Sequence, residues 1–568
     1  VLRAKHLTLD TQTQEGVVTE GTLTLGREGY RIWGKRLLKT GPMSYTIEDG
    51  GFTACDGTWP SWRVEASRVR LDRVLTTRGA SFWVESVPVA YTPYLLFPVV
   101  MERQSGFLIP KLAFSDRSGA TVIVPYYWAF SESADAVLRL EYRSRRGLTE
   151  GVELRYALAE GHEGTAEVTH LHDRVDDAER YRVKADHRSA FSDVTHARLH
   201  VDYLGDKRFF RDFGDTIQDR GVERLESYFL ATHDLDAGAL FAFVDYIEAL
   251  QQSQAETLQV LPSLGLVGRE MPVGAGFNLD PSVRFTRFDR KEGLRGERLE
   301  LHPVVSRGWS AGGIGLAARV GYREHLYRVD GRTIRRGAAD ASLTASALLA
   351  RTFGNVVHSV EPKLIFFGEE EGRGGDIPVF DAADSFGRRV ELGLLLENRL
   401  LRAADLAPLA GLDLQRSLGL AAGEPQDWRL SATLTPSDRL GLRATADYQP
   451  SLADPWRAWS ATGLVADTRG DKVEAGYHYV QGRVSYAAAR FTYAVTRDLA
   501  ATYRHHYSSR DRRTLEQALG FQLTHSCWEL VLSYSRNNAE ADRYEQRYFA
   551  SLQLKGLGKV GTVRGILP

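Results

Sequence analysis

The chain has almost no sulfur: 2 cysteines and 3 methionines in 568 residues. Cys55 and Cys527 lie near opposite ends. They are either two unpaired buried thiols or one disulfide joining the ends in an oxidising compartment. Also missing is any run of about 18 apolar residues, and the longest candidate, Tyr94 to Met101, is far too short to cross a bilayer as a helix. The chain is therefore either soluble or a β-barrel. Lys and Arg number 72 against 73 Asp and Glu, a net charge of −1, so no basic footprint argues for nucleic acid. No nucleophile elbow, phosphate loop or HExxH occurs. The first residue is Val1 rather than Met, read as a processed or truncated start with no signal peptide.

Glycine (53), tyrosine (24), phenylalanine (24) and tryptophan (10) are plentiful, a composition that favours strands. The dominant pattern has period two. Leu138, Leu140 and Tyr142 alternate with Arg139, Glu141 and Arg143. Leu199, Val201 and Tyr203 alternate with Arg198, His200 and Asp202, and late in the chain Leu442, Ala444, Ala446 and Tyr448 alternate with Arg443, Thr445 and Asp447. Strand side chains point to alternate sides, so each segment has one apolar and one polar face. A mean hydropathy of −0.29 and 26% charged residues look soluble, but a barrel averages each lipid-facing residue with a polar neighbour. Two features favour the barrel over a sandwich: the polar positions are often full charges, and the rhythm persists over hundreds of residues. At roughly 18 residues per strand, residues 107 to 568 accommodate about 26 strands, at the large end of the bacterial range. The longer polar insertions, Asp206–Gly221 and Gly368–Gly387, read as surface loops, and the charge run from Glu369 as solvated. Before the barrel, short segments separated by glycine turns (Leu7–Leu9, Thr22–Leu25, Tyr30–Ile32, Trp62–Ala66) predict a smaller all-β domain.

Several segments, in order and spacing, resemble the lipopolysaccharide-assembly (LptD/OstA) family over most of the chain. Thr53-Ala-Cys-Asp56 and Pro60-Ser-Trp-Arg-Val-Glu-Ala66 are similar to the end of that family's periplasmic domain, and Val87-Pro-Val-Ala-Tyr-Thr-Pro-Tyr94 with Leu96-Phe-Pro98 to its connection into the barrel. Ser105–Pro110 and Val124–Trp128 resemble the first two barrel strands. Asp206–Gly214, His358–Pro362 and Leu552–Gly558 also match.

The resemblance implies an all-β protein: an N-terminally truncated periplasmic jelly roll over residues 1–100, then an outer-membrane barrel of about 26 strands over 101–568. It implies a non-enzyme that delivers lipopolysaccharide to the cell surface without a cofactor. The implied partners are an LptE-type lipoprotein plug in the barrel, an LptA-type bridge on the jelly roll, outer-membrane lipids, and the barrel-assembly machinery during biogenesis. Acyl chains exposed to water cost about 0.8 kcal/mol per CH₂, so an apolar trough is expected. Leu7, Leu9, Leu23, Leu25, Trp62, Val64, Ala66, Phe82 and Val84 are candidates to line it, or else they form an ordinary closed core. Pro110 and Pro125 resemble the family's lateral gate, since proline deletes a ladder donor; the alternative is proline tolerated at a strand end. The closing strand is expected at Arg547–Leu554. Cys55 and Cys527 match family positions that pair between domains. Four-cysteine members have an adjacent pair near the C-terminus and another near the N-terminus; this chain lacks both pairs, which argues against disulfide shuffling.

Other signals have plainer readings. Gly313-Ile-Gly315 mimics a dinucleotide fingerprint but lacks a βαβ setting. His505-His506 and the pair His170 and His172 lack supporting ligands at metal spacing. Two rivals remain. A passive porin would need neither the N-terminal domain nor the cysteine pair, and a lipid-acting enzyme would need a membrane-facing Ser/His or carboxylate site.

Overall fold

The computed structural model describes residues 2–554, apart from 11, 14, 26–29, 42–43, 56–59, 72–73, 99–104, 109, 215–218, 220, 375–376, 386, 421–425 and 541–542. The chain is nearly all β. Its first part is one antiparallel sheet of seven strands in sequence order, from Leu2–Leu9 to Val87–Pro98. Among the described residues the sheet pairs with no second sheet, yet one face holds Ile32, Leu37, Ile47, Phe52 and Val69 at 1% exposure or less. A lone sheet can bury a face that completely only by curling over it. Glycines let it curl: at Gly34, Gly50 and Gly51 a Cβ would collide with side chains or backbone of the neighbouring strands.

The second part is a closed antiparallel barrel of 26 strands. It begins at Gly106–Phe107 and Lys111–Ser115, two segments of one interrupted strand, and ends at Arg543–Leu554. Here the alternation is inverted relative to the sheet. Leu140 and Tyr142 are about half exposed on the outside, while Arg139 pairs across the inner wall with Glu167 at 2.7 Å. An apolar exterior with charged pairs inside is the arrangement that lipid outside and water within require. No helix of the described residues is long and apolar enough to cross a membrane.

The end of the barrel where the chain enters from the sheet, the near end, is closed by short turns such as Asp193–Val194 and Asp236–Ala237. Gly312 and Gly313, both at positive φ, make one such turn, while Gly315, the second glycine of the nucleotide-like run, lies in the strand Ile314–Val329. At the far end lie the long connections, between Leu204 and Arg224 and between Glu369 and Arg389.

Candidate functional site

Register places the trough candidates on one face of the curled sheet. Leu23 opposes Ile32, Phe52 opposes Val64, and Val64 opposes Phe82. Leu23, Trp62, Val64 and Ala66 are buried there, with Phe82 packed against them and stacked 6.1 Å from Trp62. Leu7 opposes buried Val18, and Val84 opposes buried Trp62, so both share this face. They are nevertheless 49% and 40% exposed, and Leu9 is 45% exposed, because they sit at the rim. The side chain of Leu25 lies outside the described residues. Sequence reasoning missed Ile32, Leu37, Ile47 and Phe52, which form most of the floor. Among the described residues the first strand, Leu2–Leu9, pairs only with Gly16–Leu25, and the seventh, Val87–Pro98, only with Val74–Val84. The curled sheet is therefore open along one side.

This sheet is fastened to the barrel beside its closing strands. Cys55 and Cys527 form a disulfide across 472 positions of sequence. Cys527 lies in the near-end turn between the two strands before the last, Arg513–Thr524 leading in and Trp528–Glu540 leading out. The indole N–H of Trp62 donates to the Cys527 carbonyl at 3.2 Å, and both residues are buried. Trp528 and Leu552 pack on the same cluster, so the trough's floor runs into the wall at the last strand.

The last strand meets the first there, and the two are poorly joined. Twelve positions of the last strand register with its other neighbour, from Trp528↔Leu554 to Glu540↔Arg543. Among the described residues only four register with the first strand, from Arg547↔Ser115 to Ala550↔Leu112. Among the described residues the near-end stretch Ser551–Leu554 has strand pairing on one side alone. The cause is visible in the first strand. Phe107 opposes Tyr126 and Lys111 opposes Ile123, so four steps on the first strand match three on the second (Gly119–Trp128). The extra residue is a bulge at Leu108–Pro110, and bulges bend their strand away from regular pairing.

Both prolines belong to this defect. Pro110 sits in the bulge, exposed, and Ile109 before it lies outside the described residues. Pro125 is buried in the second strand, and its carbonyl accepts the Leu108 N–H at 2.9 Å. A residue's N–H and C=O point toward the same neighbour, so the donor that Pro125 lacks is one that would have faced the first strand. On the outer surface the seam is flanked by an apolar groove of Leu112, Phe114, Phe521, Leu532 and Tyr548.

The far-end connections carry exposed residues, as surface loops do, but both are also anchored to the wall. Between Leu204 and Arg224 lies a short helix, Phe209–Phe213, whose Phe210 and Asp212 are buried. Arg180, fully buried on the inner wall, receives it with ion pairs of 2.9 Å to Asp206 and to Asp212, while Asp173 holds Arg180 at 3.1 Å. In the charge run from Glu369, Glu370 and Glu371 are exposed. Glu369 ends a strand, nearly buried, 3.5 Å from Arg323. Farther along the same connection Phe380 stacks on Phe288 at 4.5 Å, and Asp384 meets Arg298 at 2.6 Å. Burial opposes the Asp384 charge, but hydrogen bonds from His325, the Phe380 amide and Tyr327 outweigh it and hold the carboxyl well below its ordinary range. No group of three His, Cys, Asp or Glu among the described residues is arranged to hold a metal. His170 and His172 both engage Glu179 at 2.8 Å.

Apolar outside, charged within, closed by a defective seam and joined to a curled sheet with a buried apolar face, the molecule is an outer-membrane β-barrel with an appended β-sheet domain. Two family models match it. "LPS transport system D" covers residues 178–400 and "LptD protein" covers 75–200, together more than half of the chain. The chain is 25% identical to the LPS-assembly protein LptD of Nitrosomonas eutropha, over 98% of this chain and 84% of that one. It is 24% identical to that of Neisseria gonorrhoeae (99% and 78%) and 26% identical to that of Xanthomonas euvesicatoria (90% and 74%). The chain belongs to the LptD family.

Proposed function

We propose that the chain takes up lipopolysaccharide at the curled sheet and releases it into the outer leaflet through the seam between the first and last barrel strands. The observation that carries this reading is the coincidence of three features at one place: the trough's disulfide-anchored end, the bulged first strand, and a seam paired at four positions. In an apolar medium each unmade backbone hydrogen bond forfeits about 4–6 kcal/mol. A junction with four registered positions is therefore far easier to part than one with twelve. The sheet would lie in the periplasm over about residues 1–100, with the barrel after it. A bridge protein of the LptA type would dock on this sheet by strand addition. A lumen as wide as 26 strands allow calls for a plug of the LptE type. Nothing in this reading requires chemistry by the chain itself.

The test places a photo-crosslinking side chain at Val64, on the trough floor, in cells carrying the full export complex. Adducts with lipopolysaccharide are expected, and their loss when energy supply upstream is cut. A porin in which lipid never visits the sheet gives no adduct at Val64 or Leu23 while lipopolysaccharide still reaches the surface, and that result would overturn the reading.

A further inference from the structure

We propose that Arg117 is a latch on the far end of the seam, opened when a phosphate of the cargo's head group displaces its carboxylate partners, so that acyl chains part the wall before the sugar can leave. The proposal rests on lateral exit as read above. The four registered positions end at Ser115 and Arg547. Beyond them the junction is held by the turn that follows the first strand. The Asp116 N–H donates to the Gln546 carbonyl at 3.2 Å, and the Gln546 N–H donates to the Asp116 carboxylate at 3.0 Å. Arg117, next in the turn, reaches Glu545 of the last strand at 3.6 Å and Asp212 of the far-end helix at 3.5 Å, and it donates to the Arg211 carbonyl. Arg117 and Glu545 are 17% and 12% exposed, so bulk salt screens this pair weakly.

Asp212 is a fixed anchor. Its second carboxylate oxygen is held by buried Arg180, and the ring of neighbouring Phe213 lies 5.3 Å from the Arg180 guanidinium. One guanidinium thus ties the last strand and the first hairpin to a helix anchored through Arg180 on the strand Ala178–Ser192. The two ends of the seam differ in kind: the near end lacks strand pairing among the described residues, and the far end is clamped by charge. Acyl chains sliding outward near Ser551–Leu554 meet no ladder, whereas the charged head must pass Arg117. A guanidinium held by carboxylates exchanges them readily for phosphate, which offers the same forked geometry and more charge.

The test uses the assembled complex, with correct assembly read from the Cys55–Cys527 bond on non-reducing gels. A crosslinking side chain at Phe114 reports cargo resident at the seam. Locking the far end with Asp116→Cys and Gln546→Cys is expected to stop surface delivery while adducts at Phe114 accumulate. Arg117→Gln is expected to lower those adducts by about fivefold, the scale of a partly buried ion pair, with Arg117→Lys in between. Cargo stripped of its phosphates should linger at Phe114 in the native chain but not in Arg117→Gln. Unchanged residence in Arg117→Gln, delivery despite the far-end lock, or equal residence of stripped and native cargo overturns the latch. If a lock at Leu112→Cys with Ala550→Cys also leaves delivery intact, lateral exit itself has failed.

Discussion

Two neighbouring junctions in one wall make the point of this molecule. The last strand registers at twelve positions with the strand before it and at four with the first strand. Composition does not separate them, since the same strand forms one side of both. The difference lies in the partner: a bulge at Leu108–Pro110 shifts the first strand out of reach, and Pro125 removes a donor from the strand that should brace it. A closed barrel has no free edges, and here one edge is half restored.

The largest expected effect comes from uncoupling the sheet from that edge. Replacing Cys55 and Cys527 by Ser should cost up to about 5 kcal/mol in chain-entropy terms and let the trough drift from the seam. Export should fall severely while the barrel still resists heat and detergent on gels; unimpaired export would show that the junction needs no fixed feeder. Next in size, Arg180→Ala removes the one buried cation that Asp173, Asp206 and Asp212 share, a loss of about 3–5 kcal/mol that should release the far-end helix. Faster hydrogen exchange at Phe209–Phe213, with the wall's own exchange unchanged, is the expected sign.

Much of this was legible from alternation. Leu138–Arg143 and Leu442–Tyr448 announced strands with one face for lipid and one for water, and their persistence announced the barrel. Leu23, Trp62, Val64, Ala66 and Phe82 were found because their strands alternate cleanly. Ile32, Leu37, Ile47 and Phe52 were not, because glycines at 34, 50 and 51 interrupt the rhythm where the sheet bends. The proline positions were visible, but the bulge was not, since it exists only in the register of two strands. The far-end ion pairs were hidden for a related reason. Arg117, Arg180, Asp212 and Glu545 are scattered over more than four hundred positions, and a sequence does not say which charges meet.

Smaller effects sharpen the comparison. Pro110→Ala with Pro125→Ala restores donors beside the seam, worth about 1–2 kcal/mol if one ladder bond returns. Export should slow a few-fold, and hydrogen exchange at Leu112–Ser115 should slow with it. Export at the normal rate would deny the prolines a role in the weak junction. The mildest perturbation is acid. Because the Asp384 carboxyl is held below its ordinary range when docked, its contribution is present above about pH 4, the unfolded value, and fades as pH falls further. Exchange at residues 380–385 should therefore be flat from pH 7 to about 4, after correction for intrinsic rates, and rise below it.

The central claim, that cargo leaves through the weak junction, is tested most directly by locking each junction in turn. Leu112→Cys with Ala550→Cys bridges the four-position seam, and Val531→Cys with Ser551→Cys bridges the neighbouring ladder at an equivalent height. The account expects the first lock to abolish delivery of lipopolysaccharide to the surface and the second to leave it unchanged. Delivery that survives the first lock, or fails equally under both, would contradict it.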